Sequence, residues 1–251
     1  MGVRLIALAL ASAAVAAPPD STSTVTVRGK SQTLRHYGRP GGTPVVVTSG
    51  DGGWIHLGPD VARYLASQGY SVAGVDAKAY LSSFTEGGRT LAPWDVPGDY
   101  KVIVETARQG RSVKVPLVGV SEGAGLSVLA ASDPALQPLL AGVVGLGLPE
   151  VNELGWRWRD QVIYITKGTP KEPTFKASDF VPRLGGIRLV AIHSTHDEFV
   201  PVDDVKRVVE PLTATRKLWL VEATDHRFSG NTDEMHRRLL EALEWFKTPE
   251  S

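Results

Sequence analysis

The stretch Val115-Pro116-Leu117-Val118-Gly119-Val120-Ser121-Glu122-Gly123 decides the fold of this chain. An apolar run leads into a serine that has a glycine two positions before it and another two positions after it, and a helix-forming segment follows. A serine at a tight turn from strand to helix has a strained backbone, and flanking glycines remove side chains that would clash there. The pattern predicts a nucleophile at the end of a buried strand. The motif alone is only moderately specific, since Ser121 could also be an ordinary turn serine.

Short apolar runs alternate with helical patterns along most of the chain. This alternation predicts a mostly parallel, doubly wound sheet with sites at the carboxyl ends of its strands. The predicted strands are 43–48, 71–76, 115–120, 141–148, 188–194 and 217–222, and the predicted helices are 59–68, 100–108 and a closing helix around 235–246.

Three further segments complete this outline. Strands at 25–27 and 33–37 are predicted to form a hairpin, preceded by a loose polar segment at 20–24. The closing helix is predicted to be capped by Asn231 with Glu234. Residues 149–187 break the rhythm after the sixth strand and are predicted to be a small insertion, a candidate cap.

The composition favours a single domain. The chain has 251 residues, 27 of them basic and 27 acidic, with no cysteine. One domain of this length buries a large core. The balanced charge, without runs of one sign, argues against a general nucleic-acid-binding surface. Without cysteine, neither a disulfide nor a lipid-modified N-terminus is available.

The N-terminus has the three parts of a secretory signal peptide. Arg4 precedes an apolar stretch at 5–14, and small residues lead to a cleavage site after Ala16. The apolar stretch is too short to span a bilayer, which argues against a membrane anchor. We therefore expect a signal peptide at 1–16, a single domain at 17–251 without a transmembrane segment, and a periplasmic or secreted location.

Two later strand ends supply partners for the serine. Asp197 follows the strand at 188–194, and His226 follows the strand at 217–222. A serine nucleophile needs a base that takes its proton and a carboxylate that orients the base. The order Ser121, Asp197, His226 is that of the α/β-hydrolase fold. The sequence therefore predicts this fold and hydrolysis of a carboxylic ester through an acyl-enzyme.

Nearby residues compete for these roles. Glu198 is a rival for the acid, although its position favours Asp197. His193 lies in a predicted buried strand, His196 is better placed as a loop residue, and Asp225 should face away from the adjacent base. His193 and His196 are three residues apart, but without a second cluster they do not predict a metal site. No cofactor is implied.

Backbone N–H groups are needed to stabilise the negative charge that develops on the acyl oxygen. The amide of Glu122 is one predicted donor. The loop after the third strand should supply the second, from Gly52 or Gly53, unless that loop is merely a flexible turn. Asp51 is an unusual residue in such a loop, and Trp54 is either pocket wall or plain core.

Four parts of the chain carry a resemblance to a known family: Ser49-Gly-Asp-Gly-Gly-Trp54, Gly74-Val-Asp76 with Tyr80, Gly119-Val-Ser-Glu-Gly-Ala124, and His226. Together they resemble the VirJ/AcvB-like family of bacterial virulence proteins, within the α/β-hydrolase superfamily. The resemblance implies a periplasmic serine hydrolase. AcvB-type members cleave the aminoacyl ester of lysyl-phosphatidylglycerol, and VirJ-type members are linked to type IV secretion of virulence factors. It implies these substrate-binding residues: Asp51, Trp54, Lys78 and Tyr80.

The chain departs from this family at two positions. Gly125 stands where members usually have Asp, and Ala79 stands where an Arg is common, with Lys78 as a substitute for that charge. Three functions therefore remain open: hydrolysis of an aminoacyl lipid at a phospholipid headgroup, hydrolysis of small soluble esters, and binding of a secretion-system partner on a hydrolase scaffold. An apolar surface around Trp156 and Trp158 would favour the lipid.

Overall fold

The structure is a computed structural model that describes residues 18–157 and 172–248. The predicted signal peptide at 1–16 and Trp158 lie outside the described residues. The strands are β1 (Ser21–Val27), β2 (Lys30–Tyr37), β3 (Thr43–Thr48), β4 (Tyr70–Val75), β5 (Val115–Val120), β6 (Leu140–Leu146), β7 (Val151–Glu153), β8 (Thr174–Lys176), β9 (Leu189–Ser194) and β10 (Arg216–Val221). The α-helices are α1 (Leu57–Ser67), α2 (Ala77–Phe84), α3 (Asp95–Arg108), α4 (Glu122–Ala131), α5 (Val202–Val209) and α6 (Thr232–Trp245).

An eight-stranded sheet organises the chain in the order β1-β2-β4-β3-β5-β6-β9-β10. β2 runs antiparallel to both of its neighbours, β1 and β4, and the remaining neighbours are parallel. The central strands β3 and β5 are almost entirely apolar because helices cover both faces of the sheet. Helices α1 and α6 pack on one face, and α2 to α5 pack on the other. The predicted doubly wound, mostly parallel sheet is confirmed.

The opening hairpin is longer than the sequence predicted. Residues 21–24, expected to be loose, belong to β1 and pair with 33–36 of β2. Alternating threonines and valine favour a strand at the sheet edge, where one side faces solvent. The hairpin turns at Arg28 and Gly29, which both have positive φ (45° and 78°), as a type I′ turn requires.

Two other local features differ from the sequence predictions. Lys78 and Tyr80 lie in α2, a helix that the predicted outline lacks. The Asp76 side chain caps this helix by accepting a hydrogen bond from the Ala79 amide at 3.0 Å. Asn231 does hold the N-cap position of α6, but its side chain donates to the Glu222 carbonyl at 3.0 Å instead of capping the helix.

The insertion starts after β6, the sixth strand, as predicted. In its described parts, β7 and β8 form a small antiparallel pair. The fully buried Asn152 of β7 packs on the first turn of α4, where a Cβ added at Gly125 would lie 1.8 Å from Asn152 Oδ1. At Gly125 the side chain of another strand therefore already fills the space that a side chain would need.

Over residues 18–157 and 172–248, no helix combines the length and hydropathy that a membrane-spanning helix needs.

Candidate active site

Ser121 lies at the turn between β5 and α4 in a strained backbone conformation, with φ 51° and ψ −119°. Its amide donates to the Leu146 carbonyl at 2.8 Å. Both flanking glycines are required: a Cβ at Gly119 would lie 2.2 Å from the Gly123 carbonyl, and one at Gly123 would lie 2.4 Å from the Ser49 carbonyl. The predicted elbow geometry is present, and the side chain of Ser121 is partly exposed above it.

Asp197 and His226 form an acid–base pair. His226 Nδ1 donates to Asp197 Oδ2 at 2.6 Å, and the amides of Phe199 and Val200 donate to Oδ1 at 2.9 and 2.8 Å. Burial alone would raise the pKa of Asp197, but the hydrogen bond from His226 and the two amides outweigh it and lower that pKa. Because Asp197 stays ionised and holds the proton on Nδ1, Nε2 of His226 is left as the base.

Gly147, which the sequence analysis missed, brings the base to the elbow. It follows Leu146, whose carbonyl holds the Ser121 amide, and a Cβ added at Gly147 would lie 2.5 Å from His226 Cε1. The imidazole therefore packs directly on the backbone at the end of β6. Within the described residues, no hydrogen bond joins Ser121 Oγ to His226, and such bonds are often loose until substrate is bound.

The rival residues have structural roles. Glu198 Oε2 accepts from the His226 amide at 2.8 Å and so fixes the backbone of the base. His193 is fully buried in β9 and donates from Nε2 to the Val200 carbonyl at 2.9 Å, while burial lowers its pKa. His196 Nδ1 lies 2.9 Å from the Ala223 carbonyl. No group of three potential metal ligands occurs in the described part of the chain.

The Gly53 amide, one of the two predicted second donors, is not free to bind an oxyanion in this structure, because that N–H donates to the Gly50 carbonyl at 3.0 Å. Gly50 lies beside the nucleophile, since a Cβ added there would be 3.3 Å from Ser121 Cβ. The amides of Asp51 and Gly52 have no acceptor among residues 18–157 and 172–248. They are therefore the candidate donors opposite the Glu122 amide.

Trp54, predicted as substrate-binding or core, anchors the oxyanion loop, which comprises residues 49–54 after β3, to the sheet. Its Nε1 donates to the Tyr37 hydroxyl at 2.9 Å. Its indole covers Gly74, where an added Cβ would lie 2.3 Å from Trp54 Cη2. Ser49 at the start of the loop accepts from the Ala77 amide at 3.1 Å. The contacts of Ser49 and Trp54 at the two ends of the Ser-Gly-Asp-Gly-Gly-Trp segment thus hold this loop in place.

Tyr80 cannot contact a substrate, because it is 1% exposed and its hydroxyl donates to Asp99 Oδ2 at 2.6 Å. Burial, with Asp99 adding to it, raises the pKa of Tyr80 well above its usual range. Lys78, two residues before Tyr80, does lie beside the candidate site: its Cδ would be 3.5 Å from a Cβ at Gly53, and its Nζ is 4.2 Å from the centre of the Trp156 ring.

Several carboxyl groups lie close together beside the Ser121 elbow. Glu122 is buried, and its Oε1 accepts from the Glu153 amide at 2.7 Å. Burial raises the pKa of Glu122 well above its usual range, and the nearby carboxylates of Glu153 and Asp51 raise it further. Glu153 was not predicted, because it belongs to the insertion.

Comparison with known proteins bears on the family and the fold. The sequence model of the family described as "Bacterial virulence protein (VirJ)" matches residues 43–144. No curated protein matches the chain in sequence. A solved structure titled "membrane phospholipase A, a novel bacterial virulence factor" aligns with a TM-score of 0.64 at 14% identity over 91% of this chain and 87% of the other.

Two esterase structures are similarly close. Est1E from Butyrivibrio proteoclasticus aligns with a TM-score of 0.63 at 13% identity, covering 89% of this chain and 99% of Est1E. An esterase of Pyrococcus furiosus aligns with a TM-score of 0.64 at 17% identity, covering 91% of each chain. The resemblance to the VirJ bacterial virulence proteins is thus confirmed over residues 43–144, and the chain has the α/β-hydrolase fold.

Proposed function

We propose that the protein is a serine hydrolase that cleaves a carboxylic ester. The observation that carries this proposal is the 2.6 Å hydrogen bond between Asp197 and His226, on loops after β9 and β10, beside the strained Ser121 elbow. Maintaining a strained serine costs stability, and strained backbone and shifted carboxyl pKa values concentrate where chemistry needs them. The folds of the esterases and the phospholipase described above support the same reaction class.

The reaction follows from the geometry. Ser121 Oγ attacks the ester carbonyl while His226 Nε2 takes its proton, and Asp197 stabilises the resulting imidazolium. The amides of Glu122 and of Asp51 or Gly52 donate to the oxyanion. His226 then returns the proton to the leaving alcohol, which departs and leaves an acyl-enzyme on Ser121. Water, activated by His226, attacks this acyl-enzyme and releases the acid.

A narrower substrate class is favoured by the carboxyl groups at the site. Asp51 lies in the oxyanion loop, which contacts the acyl part of a bound ester, and the carboxylates of Asp51 and Glu153 both act on the buried Glu122 carboxyl beside the elbow. An acyl group that carries an ammonium, such as an aminoacyl group, would be attracted there. We therefore propose an aminoacyl ester of the lysyl-phosphatidylglycerol type as the preferred substrate. The predicted signal peptide supports a reaction in the periplasm or outside the cell.

The test is turnover of purified protein on a panel of lysyl-phosphatidylglycerol and short p-nitrophenyl esters. Wild type, Ser121→Ala and a matched control, Ser132→Ala at the far end of α4, are compared. We expect hydrolysis by wild type and the control, and none by Ser121→Ala. No hydrolysis of any ester by folded wild type would contradict the enzymatic proposal and favour binding of a secretion-system partner.

A charge-only variant tests the narrower class. Asp51→Asn keeps the backbone amide and removes the charge, so it should raise KM for the aminoacyl lipid and leave the neutral esters unchanged. An equal effect on both substrates would contradict a role for Asp51 in recognising the ammonium.

A further inference from the structure

We propose that Phe199 determines specificity for the leaving alcohol and selects an alcohol with a hydrocarbon portion. This inference rests on the proposed function, and it assigns a role to a side chain that the acid–base chemistry does not use. Phe199 is 63% exposed, and its ring meets the His226 ring edge-on, with centroids 5.6 Å apart and planes at 89°.

The backbone presents this ring in a fixed place. The Phe199 amide donates to Asp197 Oδ1 at 2.9 Å, and Asp197 holds His226 through its other oxygen. On the far side of the segment, His193 holds the Val200 carbonyl at 2.9 Å. The acid, the base and the exposed ring therefore form one unit, so the ring keeps its position relative to the reacting atoms.

The chemistry decides which part of the substrate this ring meets. During acylation the leaving oxygen must take a proton from His226 Nε2, so it lies within hydrogen-bonding distance of that atom. The substituent on that oxygen consequently lies along the rim formed by His226 and its neighbours. Phe199 is an apolar side chain in direct contact with this base and open to solvent, so it can cover a hydrocarbon group there.

The acyl part of the ester lies at a different wall. Its carbonyl oxygen faces the Glu122 amide and the oxyanion loop, where Ile55 is the exposed apolar side chain, 51% exposed and with Cδ1 3.5 Å from a Cβ placed at Gly52. Phe199 and Ile55 thus stand on the two different walls that carry the base and the oxyanion donors. A change at Phe199 should alter the preference for alcohols and not the preference for acyl groups.

Two series of esters test the inference. In the first, the acyl group is acetyl and the alcohol is methanol, butanol or hexanol, measured by pH-stat titration. In the second, the alcohol is p-nitrophenol and the acyl group is acetyl, butyryl or hexanoyl. The proteins are wild type, Phe199→Ala, Phe199→Leu, Ser121→Ala, and a control, Leu212→Ala, whose side chain is 55% exposed before β10 at the opposite end of the sheet.

In Phe199→Ala, the ratio of kcat/KM for hexyl acetate to kcat/KM for methyl acetate should fall about tenfold, mainly through KM, because an apolar contact to the alcohol is lost. Phe199→Leu should restore most of this ratio, and Leu212→Ala should leave it at the wild-type value. The ratio across the acyl series should stay constant in all of these variants.

An unchanged alcohol ratio in a folded Phe199→Ala protein would overturn the inference, as would a change confined to the acyl series. Failure of the proposed function has a different signature: hydrolysis that is absent from wild type or that persists in Ser121→Ala.

Discussion

Gly147→Ala is the most informative change at the site, because it acts on the catalytic base without altering a reacting group. The added Cβ would lie 2.5 Å from His226 Cε1 and 3.0 Å from Nδ1, whereas ordinary contacts are 3.4–4 Å. The imidazole must therefore move by about 1 Å, and a misplacement of that size at a catalytic group costs roughly 100-fold in rate. We expect kcat/KM for p-nitrophenyl acetate to fall by that factor.

The backbone contributes a separate effect that a control can remove. Gly147 has φ +61°, and alanine at a positive φ costs about 1–2 kcal/mol of stability. Gly185 has a similar φ of +57°, but the nearest atom to an added Cβ is Gln137 Oε1 at 3.6 Å. Gly185→Ala should lose comparable stability, measured by urea unfolding, and keep its activity within about threefold.

The two variants together decide the issue. If Gly147→Ala keeps near-wild-type activity, or loses no more activity than Gly185→Ala, then contact between Gly147 and His226 does not position the base and the reasoning is refuted.

Three further changes have defined outcomes. Glu122→Gln tests the raised pKa of Glu122. Because that pKa is raised in the folded state above the unfolded value of about 4.3, the contribution of Glu122 to stability is complete below pH of about 4.3 and is lost as pH rises through the folded pKa. The variant should therefore gain Tm relative to wild type as pH rises from about 5 to 9, and a constant Tm difference would contradict this. Trp54→Leu loses the hydrogen bond to Tyr37 and the contact that covers Gly74, so the free energy of unfolding in urea should fall by about 2–3 kcal/mol. The variant should also have a lower kcat, because the oxyanion loop is no longer held in place. An unchanged kcat would contradict the anchoring role of Trp54. Gly125→Ala should destabilise by about 1–3 kcal/mol because its Cβ meets Asn152, and a double-mutant cycle with Asn152→Ala should recover part of that loss; strict additivity would argue against the contact.

Sequence patterns predicted the sheet, and they singled out Ser121, Asp197 and His226 as the candidate site, for clear physical reasons. A buried parallel strand must be apolar on both faces, so β5 could be recognised, and the elbow after it requires two glycines. Asp197 and His226 were found because carboxyl ends of parallel strands meet at one edge of the sheet.

Other features depended on contacts between distant segments, which a pattern does not contain. Tyr80 and Trp54 could equally have lined a pocket, and only their partners Asp99 and Tyr37 show that they support the fold. Gly147 carried no motif at all. Its role depends on its contact with His226, which lies almost 80 residues later in the chain.

The proposed function depends above all on Ser121 being an activated nucleophile. The most direct measurement is the intact mass of folded wild-type protein and Ser121→Ala after exposure to an alkyl fluorophosphonate, with the modified peptide sequenced. We predict a single adduct on Ser121 in wild type and none in the variant. A folded wild-type protein that forms no adduct, or a Ser121→Ala protein that is labelled equally, would contradict it.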